Sequence, residues 1–405
     1  MTYYRSKAAP AQSLRDYLAT KFTYHSPEEW AAAIADRRVL LNGMSAVDPD
    51  VILNQGDKLE YQPLQTAEPD VDTEHIDTLL DDERMLVVAK NGSIPVAPGG
   101  RYTSNTLVFA LQRKSCIAVA AEGRQRLREE TKDSSNSNGL EADSSADRQQ
   151  PLFLVHRIDK ETSGIVVFAK SSDDARCLTS QFADPLDAHV SATEKGGPRH
   201  GARLASKLYV AVVCGVLPLH AAWSVTERIG LHKDVPGASP TQFPKLKMAV
   251  FPPGSSQGKP SCSVITCIAA SAALGVSAVT VMPKTGRTHQ IRLHCAHVGH
   301  PIVGDKLYAT HTPGVPGGSF AMDDELFLSL SRETVPFCHP SLGVTKRHLL
   351  HASRLSIFSP SEALADQGPL HFASCPLPWF VADCPKLAEA SDLCEVLAST
   401  GTTGS

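Results

Sequence analysis

Three long polar stretches interrupt the 405-residue chain and limit how it can fold. They cover residues 124–150, 184–205 and 232–260 and are rich in polar residues, Gly or Pro, with few large apolar side chains. Segments of this composition bury too little apolar surface to fold, so we predict disordered insertions at the protein surface. A folded core and any catalytic site must therefore be built from the apolar segments between them.

The segments between and after the insertions are short and rich in Val and Ile. They read LFLVHRIDKETSGIVVFAK, KLYVAVVCG, VMPKTGRTHQIRLHCAHVGHPIVGDKLY and RHLLHASRLSIF. Short apolar runs of this kind are typical of buried strands, and no regular alternation of strand and helix indicates a doubly wound parallel sheet. The pattern fits an α+β fold.

The N-terminal residues 12–62 have the pattern of a small α/β domain. SLRDYLATKF places apolar residues at helical spacing, and a second helix is expected from Pro27, with Ser26 as its N-cap and Glu29 in a capping box. VLLNG and ILNQGDKLEYQ then have the pattern of short strands. This order resembles the S4 RNA-binding module. A small helical cap with a hairpin is the alternative, because residues 1–62 hold 7 basic and 8 acidic residues, a poor balance for binding phosphates.

Composition also sets the remaining boundaries. Residues 63–80 are acidic and irregular, which is typical of a linker, and we predict that the main domain spans residues 81–390. The last residues, 391–405, are predicted to form a flexible tail.

Charge is unevenly distributed along the chain. Residues 151–310 contain 17 Lys and Arg against 10 Asp and Glu, although the whole chain has a formal charge of -4. A basic region within an acidic chain is typical of a site for a polyanion such as a nucleic acid.

Several classes of protein are disfavoured by the sequence. The ten cysteines include no C-x-x-C pair, which argues against a zinc ribbon or a thioredoxin-like site and favours reduced, intracellular thiols. No run of about 18 apolar residues is present, so we expect no membrane association through a spanning helix. MTYYRSKAAPAQ lacks the apolar core of a secretory signal. We therefore expect a cytoplasmic or nuclear protein, with a mitochondrial location as the alternative because Arg5, Lys7 and Arg15 come early in the chain.

The loop HRIDKETSG joins two strand-like runs and carries the first candidate for chemistry. Asp159 lies between Arg157 and Lys160, which would keep its carboxylate ionised, and Thr162 and Ser163 could donate hydrogen bonds that orient it. From these residues alone, a salt-bridged aspartate in a turn is favoured over a catalytic one.

TGRTHQIRLH provides a second cluster, with Arg287, His289, Gln290 and Arg292 at the predicted start of a helix. The N-terminal end of a helix carries partial positive charge that favours an anion, and Arg292 could pair with Asp159 or with a phosphate. A metal site built on the four histidines is rejected, because H-E-x-x-H is absent and four His ligands without a carboxylate are not a usual zinc set. The histidines considered are His289, His294, His297 and His300.

Together these motifs resemble the RluA family of pseudouridine synthases. HRIDKETSG is similar to the family's H-R-L-D-x-x-T-S-G, KLYVAVVCG to K-x-Y-x-A-x-V-x-G, and TGRTHQIRLHCAHVGHPIVGDKLY to T-G-R-x-H-Q-I-R-x-H-x-x-x-x-G-H-P-I-x-G-D-x-x-Y. RHLLHASRLSIF is similar to the family's closing L-H-A-x-x-L strand. One departure is that Lys90 is followed by Asn91 and Gly92, where the family often has Lys-Pro-x-G.

The resemblance implies a fold and a reaction. The fold is a curved, mostly antiparallel sheet with flanking helices and a central cleft for RNA. The reaction isomerises uridine in RNA to pseudouridine without a cofactor or a metal, because both fragments of the broken nucleoside stay in the pocket. A module of the S4 kind often precedes the synthase domain in this family.

The resemblance also implies roles for individual residues. Asp159 matches the catalytic aspartate, which attacks the sugar or the base or removes a sugar proton; these alternatives stay open. Tyr209 matches the tyrosine that stacks on the uracil, and Arg292 the basic partner of the catalytic carboxylate. Arg157 matches the residue that fills the gap left by the flipped nucleotide.

The remaining predicted site residues support these groups. Arg287, His289 and Gln290 are predicted to contact RNA. The residues expected to shape the turn or to lie behind the catalytic groups are His156, Lys160, Thr162, Ser163 and Gly164.

Two other functions remain as alternatives to the synthase. One is a catalytically inactive S4-type RNA-binding protein, and the other is a metal-dependent hydrolase built on the histidines. For the synthase, we expect rRNA to be favoured over tRNA as the substrate because of the S4-like module. A monomer is the default state for the family.

Overall fold

The computed structural model describes eleven stretches of the chain, which form two compact units. One unit comprises residues 1–67 and 230–249, and the other comprises residues 68–229 and 250–405. The described residues are 2–5, 12–22, 25–46, 48–62, 68–100, 102–114, 151–183, 204–231, 248–309, 337–361 and 368–401. The predicted insertion at 124–150 lies outside them, as do residues 184–203 and 232–247 of the other two.

The smaller unit contains two helices and a four-stranded antiparallel sheet with the strand order β1-β4-β2-β3. Its elements are β1 (Thr2–Arg5), α1 (Leu14–Lys21), α2 (Pro27–Ala35), β2 (Val39–Leu41), β3 (Met44–Ser45) and β4 (Lys58–Tyr61). The predicted capping box of α2 is confirmed: Ser26 accepts from the Glu29 amide at 3.1 Å, and Glu29 accepts from the Ser26 amide at 2.8 Å. Leu14, Trp30 and Ile34 are fully buried between the helices and the sheet.

The larger unit is built on a ten-stranded, mostly antiparallel sheet, which confirms the α+β class. The strand order is β10-β13-β14-β9-β17-β8-β6-β5, with β18 paired to β17 and β7 to β8. Two further pairs, β11 with β12 and β15 with β16, form separate two-stranded sheets, and the division between the two units falls within β11 and β12. The strands are β5 (Ile76–Asp81), β6 (Met85–Lys90), β7 (Phe153–Leu154), β8 (Ser163–Ala169), β9 (Ser206–Cys214), β10 (Ala222–Val225), β11 (Arg228–Leu231), β12 (Met248–Phe251), β13 (Ser263–Ser271), β14 (Val276–Pro283), β15 (Phe337–His339), β16 (Gly343–Thr345), β17 (Leu350–Ile357) and β18 (Leu370–Ala373).

Helices cover the flanks of this sheet. They are α3 (107–114), α4 (Ser172–Gln181), α5 (Gln290–His297), α6 (Leu377–Asp383) and α7 (Ser391–Ser399), with a 3₁₀ helix at Pro385–Glu389 between the last two. None of the helices in the described stretches is long and apolar enough to cross a membrane.

Three boundaries predicted from composition are wrong. Residues 76–80 of the predicted linker belong to β5, an edge strand whose outward-facing Asp and Thr made the segment look irregular. Residues 391–399 of the predicted tail form α7, because Leu393 and Leu397 at i and i+4 are fully buried in the core. Residues 248–260 of the third insertion contain β12 and a bridge between Ile229 and Lys259.

The centre of the sheet holds the loop that carries Asp159. All seven residues of β8 are buried, and β8 runs parallel to β17, with Gly164 opposite Ala352. Gly164 has φ +109°, and a Cβ there would lie 2.3 Å from the Ala352 carbonyl oxygen. Only glycine fits this close approach of two backbones, so the start of β8 and the loop before it have one fixed position.

Replacing Gly164 with Ala should lower the free energy of unfolding by at least about 2 kcal/mol, because the backbone is strained and the Cβ meets backbone rather than a movable side chain. Urea denaturation followed by circular dichroism measures this. Gly254→Ala is the matched control, since a Cβ at Gly254 meets nothing within 4 Å. Equal unfolding midpoints for the two variants would contradict the argument.

Candidate active site

A groove of about 800 Å³ lies on the larger unit, over the centre of the sheet. The β7–β8 loop, β9, α4 and the segment from β14 into α5 contribute its walls. Its charged and titratable lining is almost entirely basic: His156, Arg157, Arg176, Lys207, Arg287, His289 and Arg292. Asp159 is the one carboxylate among the described residues that line it. The groove therefore suits a polyanion that meets one negative group.

Lys90 fixes the backbone of the loop that carries Asp159. It is the last residue of β6 and is fully buried, and its ammonium donates to the carbonyl oxygens of Asn91, Lys160 and Thr162, the first two at 2.9 Å. The Thr162 amide closes the turn by donating to the Asp159 carbonyl at 3.1 Å. Burial, followed by the Arg347 charge, lowers the pKa of Lys90 well below its ordinary value. Three backbone acceptors from two segments fix the loop path.

Arg292 joins Asp159 to a second carboxylate. Its Nη1 donates to Oδ2 of Asp159 at 3.0 Å, while Nε and Nη2 donate to the two oxygens of Asp305 at 2.7 and 2.9 Å. Asp305 is fully buried, and its Oδ1 also accepts from the amides of Leu307 and Tyr308. The two hydrogen bonds to Asp305 fix the orientation of the Arg292 guanidinium. In this orientation its Nη1 points at Asp159.

These contacts decide the charge of each group. Burial alone would raise the pKa of Asp305, but Arg292 and the backbone amides lower it to about 2. Burial would also raise the pKa of Asp159, but His289 and Arg292 hold it below its ordinary value. The pKa of Arg292 lies well above its ordinary value, because the two carboxylates outweigh its burial. At neutral pH, Asp159 is therefore an ionised carboxylate whose side chain is still 29% exposed to the groove.

His289 lies beside this pair as a neutral group. Its Nε2 is 3.9 Å from Oδ2 of Asp159, and its Nδ1 is 2.8 Å from the Tyr308 hydroxyl. Burial and then the Arg292 charge lower the pKa of His289 to about 4, so His289 is uncharged at neutral pH. His289 has a left-handed backbone, with φ +56°, at the turn into α5.

Tyr209 lies on β9, between β14 and β17, where it pairs with Val281 and Ala352. It lines the groove together with Asp159. Burial and then the Asp159 charge raise the pKa of its phenol, so its hydroxyl keeps its proton at neutral pH. The predicted catalytic set, Asp159, Tyr209 and Arg292, is brought into one groove.

The residues predicted to contact RNA occupy different environments. Arg157 is exposed in the groove wall, and its guanidinium makes no hydrogen bond or ion pair within the described stretches. Arg287 is half-buried, and its Nε donates to the Pro260 carbonyl at 2.9 Å. Gln290 is buried, and its amide contacts Thr285, Arg287, Cys262 and Ser263 at 2.7–3.0 Å. This places Gln290 as a residue that orders the turn before α5.

The residues predicted to lie behind the catalytic groups mostly support the loop. Nε2 of His156 accepts from the Val167 amide at 3.1 Å, and its ring stacks on Phe182 at 4.3 Å. Thr162 and Ser163 are buried and meet His348 and His351 at 2.9 and 2.8 Å. Lys160 is exposed, and its ammonium donates to the Tyr102 hydroxyl at 2.9 Å.

The four histidines considered for a metal site do not converge. His294 meets Ser261 at 2.9 Å, His297 is 3.4 Å from Glu227, and His300 meets the Cys214 carbonyl at 2.9 Å. No group of three His, Cys, Asp or Glu side chains within the described residues has the geometry to hold a metal ion.

Sequence reasoning missed Lys90 and Asp305 as parts of the site. Asp305 belongs to the quoted GDKLY segment, and an acid in the same motif as Arg287 and Arg292 is a signal that could have identified it. Lys90 ends the apolar strand MLVVAK, where a single lysine indicates a buried amine with a specific partner.

The buried carboxylate of Asp305 makes the free energy of unfolding depend on pH in the acidic range. Its folded-state pKa, about 2, lies below its ordinary value, so its ionised form stabilises the fold above pH 4 and the effect is lost as the pH falls toward 2. The difference in unfolding free energy between the wild-type protein and Asp305→Asn should therefore shrink by about 2 kcal/mol from pH 5 to pH 2. Urea titrations at each pH measure it, and a difference independent of pH would contradict the assignment.

Comparisons with known proteins identify the family of this chain. Residues 84–297, just over half of the chain, match the family model of RNA pseudouridylate synthase. RNA pseudouridine synthase 5 of Oryza sativa subsp. japonica is 28% identical over 76% of this chain and 70% of its own length. An uncharacterized RNA pseudouridine synthase of Chlorobaculum parvum is 27% identical over 93% of this chain and 94% of its own.

Among solved structures, the chain is similar to human RNA pseudouridylate synthase domain containing 1. The identity is 21%, the TM-score is 0.41, and the match covers 76% of this chain and 85% of the other. The family match over residues 84–297 covers the loop of Asp159, the strand of Tyr209 and the helix of Arg292. The chain belongs to the RNA pseudouridylate synthase family and is an RNA pseudouridine synthase, an isomerase.

Proposed function

We propose that this enzyme isomerises specific uridines in structured RNA, with Asp159 as its catalytic carboxylate. The observation that carries the proposal is the contact of Asp159 with Arg292 in a basic groove, which keeps the carboxylate ionised and partly exposed. The groove volume, about 800 Å³, is in the upper part of the range for ligand sites and leaves room for more than a single base.

The reaction is an isomerisation, so substrate and product contain the same atoms. The bond from N1 of uracil to C1′ of ribose breaks, the base turns, and C5 bonds to C1′. The proton on C5 is lost, and N1 gains one. The ionised carboxylate of Asp159 suits each of the three alternatives: attack on the sugar, attack on the base, or removal of a sugar proton. In all three, Arg292 and the buried Asp305 hold the carboxylate in place. The entropy of orienting the carboxylate is therefore lost during folding and not during the reaction.

Tyr209 contacts the base in this proposal. A phenol ring in the groove wall provides a face on which uracil stacks. Because its hydroxyl stays protonated at neutral pH, Tyr209 takes the C5 proton only if it passes its own proton on at the same time.

Uridine in a structured RNA must leave its stack to reach Asp159. Arg157, two residues earlier in the same loop, is exposed and carries a planar cation that stacks on bases and binds phosphate. In this proposal Arg157 fills the gap that the flipped nucleotide leaves in the RNA stack.

The smaller unit is proposed to be an S4-like RNA-binding module. Its two helices and short sheet support this, and the module favours rRNA over tRNA as the substrate. Mapping pseudouridines in the RNA of cells with and without this chain tests the choice. Sites lost only from tRNA would overturn it.

Asp159→Asn should lower the rate of pseudouridine formation by about 10³-fold or more, because the amide can neither attack nor accept a proton at neutral pH. RNA binding should persist, since the variant removes a negative charge from a basic groove. The assay follows pseudouridine by mass spectrometry in RNA from cells that lack the chain.

Asp173→Asn is the control for Asp159→Asn, because Asp173 is an exposed acid at the start of α4 and does not line the groove. Activity of Asp159→Asn close to that of this control would remove Asp159 from the mechanism.

Tyr209→Phe separates the two roles of the tyrosine. The ring remains, so RNA affinity should change less than about threefold, while loss of the hydroxyl should lower turnover by about 10²-fold if it takes part in proton transfer. Tyr209→Ala should weaken binding as well. Unchanged turnover in Tyr209→Phe would leave stacking as the only role.

A further inference from the structure

A second cavity of about 260 Å³ adjoins the groove of the active site. The two share the lining residues Phe182, Ala183, Lys207, Pro283, Thr285 and Gly286. Leu204, Met282 and Lys284 belong to the second cavity only. Because six lining residues are common to both, the two cavities are direct neighbours that share one wall.

The second cavity combines cations with an apolar surface. Lys207 and Lys284 contribute positive charge, and no Asp or Glu is among the described residues that line it. The Lys284 ammonium donates to the sulfur of Met282 at 3.0 Å, which is a weak acceptor, so it keeps donors available for a phosphate. Leu204 and Met282 are 42% and 36% exposed and offer an apolar surface to a base.

Phe182 forms the boundary between the two cavities. His156 stacks on its ring at 4.3 Å with an interplanar angle of 9°, and the Lys207 ammonium lies 5.8 Å from the ring centroid. The ring is therefore held in one orientation by its neighbours. A rigid aromatic side chain at this boundary separates one base from the next.

Gly286 lies where the two cavities meet. A Cβ on this residue would meet nothing within 4 Å, and its φ is not positive, so the fold itself does not require glycine there. Close approach of a ligand backbone is another physical reason for a glycine.

We propose that the second cavity binds the nucleotide adjacent to the target uridine in the same RNA strand. Lys284 and Lys207 bind the phosphate, Met282 and Leu204 contact the base, and the strand passes over Gly286 between the two cavities. The inference rests on the proposed function, because it takes the flipped uridine to occupy the groove at Asp159.

The test measures binding of two probes to the full-length protein. The probes are a fluorescein-labelled triuridylate, followed by anisotropy, and uridine 5′-monophosphate, followed by competition. Lys284→Ala should weaken triuridylate binding about fivefold to tenfold at low salt, and the slope of log affinity against log salt should fall by about 0.7, as for one lost phosphate contact on a single strand. Affinity for uridine monophosphate should stay the same.

Lys386→Ala is the matched control, because Lys386 is an exposed lysine that lines neither cavity. Lys284→Ala behaving like this control would overturn the proposal. Equal loss of affinity for both probes would also overturn it, since Lys284 would then serve the uridine site itself.

Gly286→Ala tests the path of the strand. It should weaken triuridylate binding at least about threefold without lowering the unfolding midpoint, whereas Gly254→Ala, equally open but outside both cavities, should change neither. Identical binding by the two variants would contradict the close approach at Gly286.

Failure of this inference is distinguishable from failure of the proposed function. A wild-type protein that forms no pseudouridine in RNA refutes the function. An active protein whose Lys284→Ala variant binds triuridylate normally refutes the second site alone.

Discussion

The ion pair between Arg292 and the buried Asp305 is the interaction on which the active site depends. Removing two charges from water is costly, and the cost is met here by two parallel hydrogen bonds and by two backbone amides that also donate to Asp305. Once Arg292 is fixed in this way, its remaining nitrogen can hold Asp159 at 3.0 Å without further reorganisation. The carboxylate of Asp159 is thus oriented by a partner that is itself oriented by the core.

Asp159 is fixed from the other side by the backbone. Lys90 donates to three carbonyls on two segments, and Gly164 lets β8 approach β17 closely enough for Ser163 to bond to the buried His351 of that strand. The loop has little freedom left, although it lies at the edge of an open groove. Asn91, which follows Lys90, orders the next turn: its side chain donates to the carbonyls of Asp72 and His75 and accepts from the Ser93 amide.

Much of the fold and of the site could be predicted from the sequence. The helix starting at Pro27 follows from its capping residues and the strand containing Tyr209 from its apolar run, and both signals act locally. The helix predicted to begin at Gln290 is also present. Composition failed at 76–80 and 391–399, because an edge strand and a short surface helix need only a few buried side chains and look polar in sequence. The contact between Arg292 and Asp305 spans a loop, and the support by Lys90 joins residues about 70 positions apart. Long-range partners of this kind are set by tertiary packing and leave no periodic signal.

The central claim is that Asp159 is an ionised carboxylate held by Arg292 in a groove open to RNA. The most direct measurement is the pKa of Asp159 in the full-length protein, from the side-chain carbon resonance of labelled aspartate, assigned with Asp159→Asn. The account predicts a pKa below the ordinary value for aspartate, and a rise when Arg292 is replaced by Gln, with Asp305 replaced by Asn to keep the buried pair neutral. A pKa at or above the ordinary value in the wild-type protein would contradict it.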